Sequence, residues 1–173
     1  MNEIKSRICV YQGNIVKLGT DAIVNAANTS LLGGGGVDGA IHAAAGPELL
    51  EECRGLHGCR VGQAKLTKGY RLPAPYIIHT VGPIWQGGGQ QEAELLASCY
   101  RSSMEIAAEK GLSSIAFPAI STGVYGYPRQ EAARIAIHTV AEALQQHSGI
   151  KKVYLVAWDK ETALLYQSLL EQL

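Results

Sequence analysis

Short apolar runs alternate along this chain with longer stretches of helical spacing. Arg7 to Tyr11, residues 22–25 (Ala-Ile-Val-Asn), Tyr76 to Val81, Ser114 to Phe117 and Lys152 to Trp158 each read as a strand bounded by turn residues. Tyr76-Ile77-Ile78-His79-Thr80-Val81 is the richest of these in β-branched residues. Gln63 to Lys68 alternates weakly and reads as an edge strand, and Ile15 to Leu18 is too short to assign. Helical spacing predicts a helix from about Asp38 to Gly46 and another opened by Pro47, with Leu49, Leu50 and Cys53 as its apolar positions. A long helix follows from about Gln91 to Lys110, facing inward with Leu95, Leu96, Cys99, Ser103, Ile106 and Ala107. Pro128 to about His147, with Ala133, Ile137, Val140 and Leu144 inside, and Thr162 to Leu170 complete the set. Strands alternating with helices predict an α/β fold, a sheet between helical layers. No repeat, low-complexity segment or linker interrupts residues 1–173, which read as one domain.

Two loops leave the ends of buried strands and carry most of the glycine and small polar residues. The first is Asn25-Ala26-Ala27-Asn28-Thr29-Ser30-Leu31-Leu32-Gly33-Gly34-Gly35-Gly36-Val37-Asp38, between a strand and a helix. Four successive glycines leave no Cβ in the way of an anion, and the helix that follows points its positive end at the same place. The run is neither a P-loop, lacking Gly-Lys-Ser/Thr, nor a G-x-G-x-x-G dinucleotide fingerprint. A flexible surface loop is the alternative. The second loop, Ala119 to Pro128, offers Ser121 and Thr122 hydroxyls, backbone N–H groups around Gly123 and the face of Tyr125. Ligands of α/β sheets bind beyond the carboxyl ends of strands, so the two loops are placed to grip one diphosphate from both sides. A carboxylate at Asp38 repels such a ligand, which suits it to chemistry rather than binding. Capping its own helix is the competing role.

Composition narrows the partners. Apolar residues make up 47% and charged residues 17%, and 15 Lys+Arg balance 15 Asp+Glu. That neutrality argues against holding nucleic acid by bulk charge. The first residues lack an apolar signal core and no stretch reaches membrane-spanning length, so a cytoplasmic protein is expected. The four cysteines at 9, 53, 59 and 99 form no C-x-x-C pair and read as reduced thiols, Cys9 in the core. Cys53, His57 and Cys59 supply three groups without a fourth at ligand spacing, so no metal is expected.

Four blocks, taken together, resemble a macrodomain. They are Asn25-Ala26-Ala27-Asn28; the Gly34-Gly35-Gly36-Val37-Asp38 run leading to His42; His79-Thr80-Val81-Gly82-Pro83; and Phe117 to Gly126. They fall in the family's order across nearly the whole chain, and with Tyr125-Gly126-Tyr127-Pro128 they are most similar to the MacroD type, specifically bacterial O-acetyl-ADP-ribose deacetylases. The resemblance implies a single three-layer α/β/α macrodomain with a mixed, about six-stranded sheet, no cofactor, and ADP-ribose or O-acetyl-ADP-ribose as ligand. It implies that Asn28 bonds the distal ribose and that Asp38 is the acid–base residue beside it. Gly35, Gly36 and Val37 face the diphosphate from one loop, and Ser121, Thr122, Gly123 and Val124 from the other. Tyr125 packs on the distal ribose, and Asn25 and Ile15 join the ligand contacts. Two positions depart from the family. Asn14 stands where an aspartate accepts from the adenine amino group, and Trp158 replaces a Phe or Tyr.

The function so implied is hydrolysis of the ester on the distal ribose, extending to esters that join ADP-ribose to protein Glu or Asp. Competing readings are a non-catalytic reader of ADP-ribosylated proteins and a regulatory partner of an RNA-processing enzyme such as a ribonuclease. His42, one turn from Asp38, is either its acid–base partner or a structural histidine, and His79 is expected to be structural. Trp85 with Gly87-Gly88-Gly89 forms either a mobile lid or a plain surface loop.

Overall fold

The computed structural model describes residues 2–173. Six strands form one sheet: β1 (Ile8–Gln12), β2 (Ala22–Ala27), β3 (Ala64–Lys68), β4 (Tyr76–Val81), β5 (Ser114–Phe117) and β6 (Lys152–Ala157). Their order is β1-β6-β5-β2-β4-β3, all parallel except β3, which pairs antiparallel at the edge. Between them lie α1 (Asn2–Ser6), a 3-10 turn (Ile15–Lys17), α2 (Gly36–Ala45), α3 (Pro47–Arg54), α4 (Glu92–Glu109), α5 (Arg129–Gln146) and α6 (Lys160–Glu171).

Strand alternation sorts the core into two halves. Ala22, Val24, Ile78, Ile115 and Phe117 pack with α1, α4, α5 and α6. Ile23, Ala27, Ile77, Val81 and Ala116 pack with α2 and α3. Neighbouring residues on one strand thus enter opposite cores, as the two-residue period of a sheet requires. Each large aliphatic side chain removed from water in these halves contributes about 1.5–3 kcal/mol. The expected mixed three-layer architecture is what forms.

Several element boundaries moved for identifiable reasons. The α1 turn was not foreseen; Ile4 is buried, and Arg7 beyond it donates to the carbonyls of Ile150 (2.6 Å) and His147 (2.9 Å) at the end of α5. α6 begins before Thr162 because the Asp159 carboxylate accepts from the Thr162 N–H at 3.2 Å and caps the helix. Leu95 and Ile106 are only half-buried on α4; Tyr100 and Met104 fill the core instead, with the Tyr100 and Phe117 rings 4.9 Å apart. Cys9 is likewise half-buried rather than central. Among the described residues, no helix is long and apolar enough to cross a membrane.

Candidate active site

Five parallel strands end on the same edge of the sheet, and their exits line one cavity of about 730 Å³. Sheet order lays the exits out in a row. Asn14 and Ile15 leave β1, Trp158 leaves β6, Ser121 to Tyr125 follow β5, Asn28 to Asp38 follow β2, and Gly82 leaves β4. At about 4.8 Å per strand the row spans roughly 19 Å, an elongated trough rather than a round pocket. Asn14, Ile15, Asn28, Gly35, Gly36, Val37, Asp38, Ser121, Thr122, Gly123, Val124, Tyr125 and Trp158 all line it. Asn25 does not: it is fully buried behind the wall, because its strand parity matches Ile23 and Ala27 and turns it toward α2. Arg129, Val156 and Thr162 also line the trough but carry no local motif, since they come from helices and a strand without loop chemistry.

The first loop is braced from within. Asn28 donates from Nδ2 to Gly33 O at 2.9 Å, while its Oδ1 accepts from the Ser30 hydroxyl (2.7 Å) and the Leu31 N–H (3.2 Å). One amide hydrogen of Asn28 is left for a ligand. Helix α2 then starts at Gly36, with Gly35 as its N-cap and no side chain capping it. The capping role considered for Asp38 is therefore ruled out, and the first N–H groups of α2 find no partner among the described residues and stand beside the trough. Gly39 lets the helix sit this close: a Cβ there would lie 2.6 Å from Gly34 O.

Asp38 sits in the first turn of α2 at 4% exposure. Its Oδ1 accepts from Asn25 Nδ2 at 2.8 Å, with His42 Nε2 3.4 Å away. Its Oδ2 faces the glycine run, 3.1 Å from where a Cβ on Gly34 would be. One carboxylate oxygen is thus held by the protein, and the other is turned to the loop. Among the described residues His42 Nε2 has no hydrogen-bond partner, and its distance to Asp38 exceeds a normal N–H···O contact, so the geometry is that of a neighbour rather than a bonded dyad.

In the second loop the hydroxyls do not serve as expected. Ser121 donates to Pro83 O (2.8 Å) and Thr122 to Ala119 O (2.8 Å), so both protons hold the loop in shape. Ser121 has φ +67° and packs so tightly that a Cβ on Gly82 would lie 2.2 Å from its Oγ. The anion donors left are backbone: Gly123, Val124 and Tyr125 N–H groups have no partner among the described residues.

The segment from Trp85 to Gly89 is tied down, which favours the surface loop over a mobile lid. The buried Glu92 carboxylate accepts from Gln86, Gly88 and Gln90 N–H groups at 2.8, 3.0 and 2.6 Å. Burial pushes this carboxyl upward, but those donors outweigh it and hold it below the usual carboxylate range. Trp85 donates its backbone N–H to Tyr125 O at 2.8 Å and packs on Tyr127, ring centres 4.7 Å apart. Cys53, buried in the core on α3 and outside the trough, is equally inert: burial, with the Glu52 and Asp38 charges, pushes its thiol up to about 11.

The comparisons with known proteins agree with this geometry. A family model described as Macro domain matches residues 24–136. An O-acetyl-ADP-ribose deacetylase of Citrobacter rodentium is 55% identical over 173 residues, covering 98% of both chains. A Macro domain-containing protein of Mesorhizobium japonicum is 61% identical, over 96% of this chain and 94% of that one. Among solved structures, an Oceanobacillus iheyensis macrodomain variant with ADPR superposes with a TM-score of 0.90 at 48% identity, covering 94% of this chain and 91% of the other. The Trypanosoma brucei macrodomain in complex with ADP-ribose gives 0.89 at 45%, covering 94% and 68%. A trough at the ends of five parallel strands, two loops of unpaired N–H groups and these likenesses lead to one assignment: the chain belongs to the Macro domain family.

Proposed function

We propose that this chain binds ADP-ribose in the trough and hydrolyses O-acetyl-ADP-ribose to ADP-ribose and acetate. The observation that carries the reading is the Asp38 carboxylate, buried at the uncapped start of α2 with one oxygen fixed by Asn25 and the other facing the loop. The unpaired N–H groups of α2 and of Gly123 to Tyr125 flank the diphosphate. Adenine lies at the Asn14 and Trp158 end, and the distal ribose at the Asn28, Asp38 and Tyr125 end.

In the reaction, a water held at Asp38 attacks the acetyl carbonyl carbon as its proton passes to the carboxylate. Backbone N–H groups steady the tetrahedral oxyanion. Collapse breaks the bond between the acyl carbon and the ribose oxygen, which takes the proton back from Asp38, and acetate leaves. The same chemistry opens an ester between ADP-ribose and a protein Glu or Asp. A reader that only binds gains nothing from a buried carboxylate near a diphosphate, which costs Coulomb energy in every complex.

Side-by-side assays of O-acetyl-ADP-ribose and of protein mono-ADP-ribosylated on Glu or Asp test this. Release of free ADP-ribose with acetate from the first is expected. ADP-ribose binding without turnover of either substrate makes the protein a reader.

The adenine end has its own test. Asn14 Oδ1 already accepts from the Val16 N–H at 3.2 Å and keeps a second lone pair for the adenine amino group. Asn14→Asp makes that acceptor charged, and calorimetry should find ADP-ribose bound more tightly by about 1 kcal/mol, with ribose 5-phosphate unaffected. Weaker ADP-ribose binding would place adenine elsewhere.

A further inference from the structure

Behind the trough, on the α2 face of the sheet, buried polar side chains run in a line from Asp38 to a backbone carbonyl. Asn25 on β2 and His79 on β4 are register partners in adjacent parallel strands. Asn25 Nδ2 lies 2.8 Å from Asp38 Oδ1 and 3.1 Å from His79 Nδ1, so its two hydrogens serve both. His79 Nε2 lies 2.8 Å from the Thr67 hydroxyl on β3, and that hydroxyl reaches Lys68 O at 3.2 Å. Asn25 and His79 are fully buried, and Thr67 is 2% exposed.

Both ends of this line accept only, which sets its direction. Lys68 O takes the one hydroxyl hydrogen of Thr67, so Thr67 receives from His79 Nε2–H. A neutral imidazole with its proton on Nε2 accepts at Nδ1, which requires an N–H from Asn25. The amide is then turned with its nitrogen toward Asp38. Burial, with His42 nearby, pushes the His79 imidazole down to about 3 and keeps it neutral. The orientation has a cost: Asn25 Oδ1 is buried with no hydrogen-bond partner among the described residues. A buried carbonyl left unpartnered marks an amide whose direction is set by its two N–H contacts.

We infer that His79 and Thr67 are positioning residues for ester hydrolysis: Thr67 selects the Nε2–H tautomer of His79, which turns Asn25 to donate to Asp38. With the other tautomer, Asn25 would present its oxygen to His79 and to Asp38 alike, and a carboxylate facing a carbonyl must turn or take up a proton. The inference rests on the proposed role of Asp38.

The test uses two variant pairs in the full chain. Thr67→Val removes the hydroxyl at nearly constant shape, and Thr67→Ser keeps it. His79→Leu removes both ring nitrogens, and His79→Asn puts an oxygen near the place of Nδ1. Thr67→Val and His79→Leu should lower kcat on O-acetyl-ADP-ribose on the order of tenfold, with ADP-ribose affinity within about twofold. Thr67→Ser and His79→Asn should recover most of the loss, which a merely structural role would not produce. In parallel, ¹⁵N-histidine NMR of the parent should show His79 as the Nε2–H tautomer without titration between about pH 5 and 8, and Thr67→Val should lose that fixed form. Parental kcat in folded Thr67→Val, or a His79 ring protonated on Nδ1 in the parent, overturns the inference. Should His79→Leu not fold, the Thr67 pair and the spectra decide. A parent without ester hydrolysis refutes the proposed function instead, and the spectra alone then decide the tautomer. A parent whose turnover depends on Asp38 but not on Thr67 refutes only this inference.

Discussion

Asp38→Asn should lower kcat on O-acetyl-ADP-ribose by about a hundredfold or more, the scale of losing a general base, while ADP-ribose binds as well or better. The substitution keeps the shape of a side chain that is 4% exposed and does not cap its helix. An amide oxygen can still accept from Asn25 Nδ2, so the buried donor keeps a partner. What disappears is the basic oxygen facing the glycine run, and no other base stands among the loop residues there. Loss of a negative charge beside the diphosphate removes repulsion, which protects affinity. Asp38→Ala is the poorer probe, because it strands the Asn25 donor and costs about 1–3 kcal/mol of stability besides. Stopped assays with the parent and Asp38→Asn, each checked by calorimetric ADP-ribose titration, separate the two effects. Parental turnover in a folded Asp38→Asn would remove Asp38 from the chemistry.

Gly123→Glu should abolish ADP-ribose binding while leaving the melting temperature near that of the parent. A Cβ at Gly123 meets nothing within 4 Å, and its backbone does not lie in the left-handed region, so a side chain is accepted without strain. The new carboxylate lands beside the unpaired N–H groups of Gly123, Val124 and Tyr125, where it competes for the same donors and repels the diphosphate. Gly123→Ala adds the bulk without the charge and should bind more weakly than the parent but measurably. Unchanged affinity in Gly123→Glu would take the second loop out of the site.

The loops were legible in the sequence because a phosphate cradle has a local signature. A glycine run between an apolar strand and a helix, and a second small-residue loop after Phe117, mark two strand exits wherever the strands lie. The chemistry inside the loops was less legible. Ser121 and Thr122 read as ligand donors, yet their hydroxyls close on Pro83 O and Ala119 O. Asn25 read as a ligand contact, yet it lies behind the wall. A polar residue's type states what it can bond, not which neighbour reaches it first.

Read alone, the residues located the strands and the helices from α2 onward, and most of the side chains that share a face. Those are properties of period two and period 3.6, carried by consecutive residues. Which strand lies beside which is settled only on folding, because ladder hydrogen bonds join backbones that are alike at every residue. The placement of β1 against β6 brings Arg7 to Ile150, 143 residues away, and sets Asn14 and Trp158 side by side at one end of the trough. The placement of β2 against β4 joins Asn25 to His79 across 54 residues. That contact turns a glycine loop with an aspartate at its end into a site where the carboxylate has one fixed oxygen and one free, since a buried amide must bond whatever the fold puts within its reach.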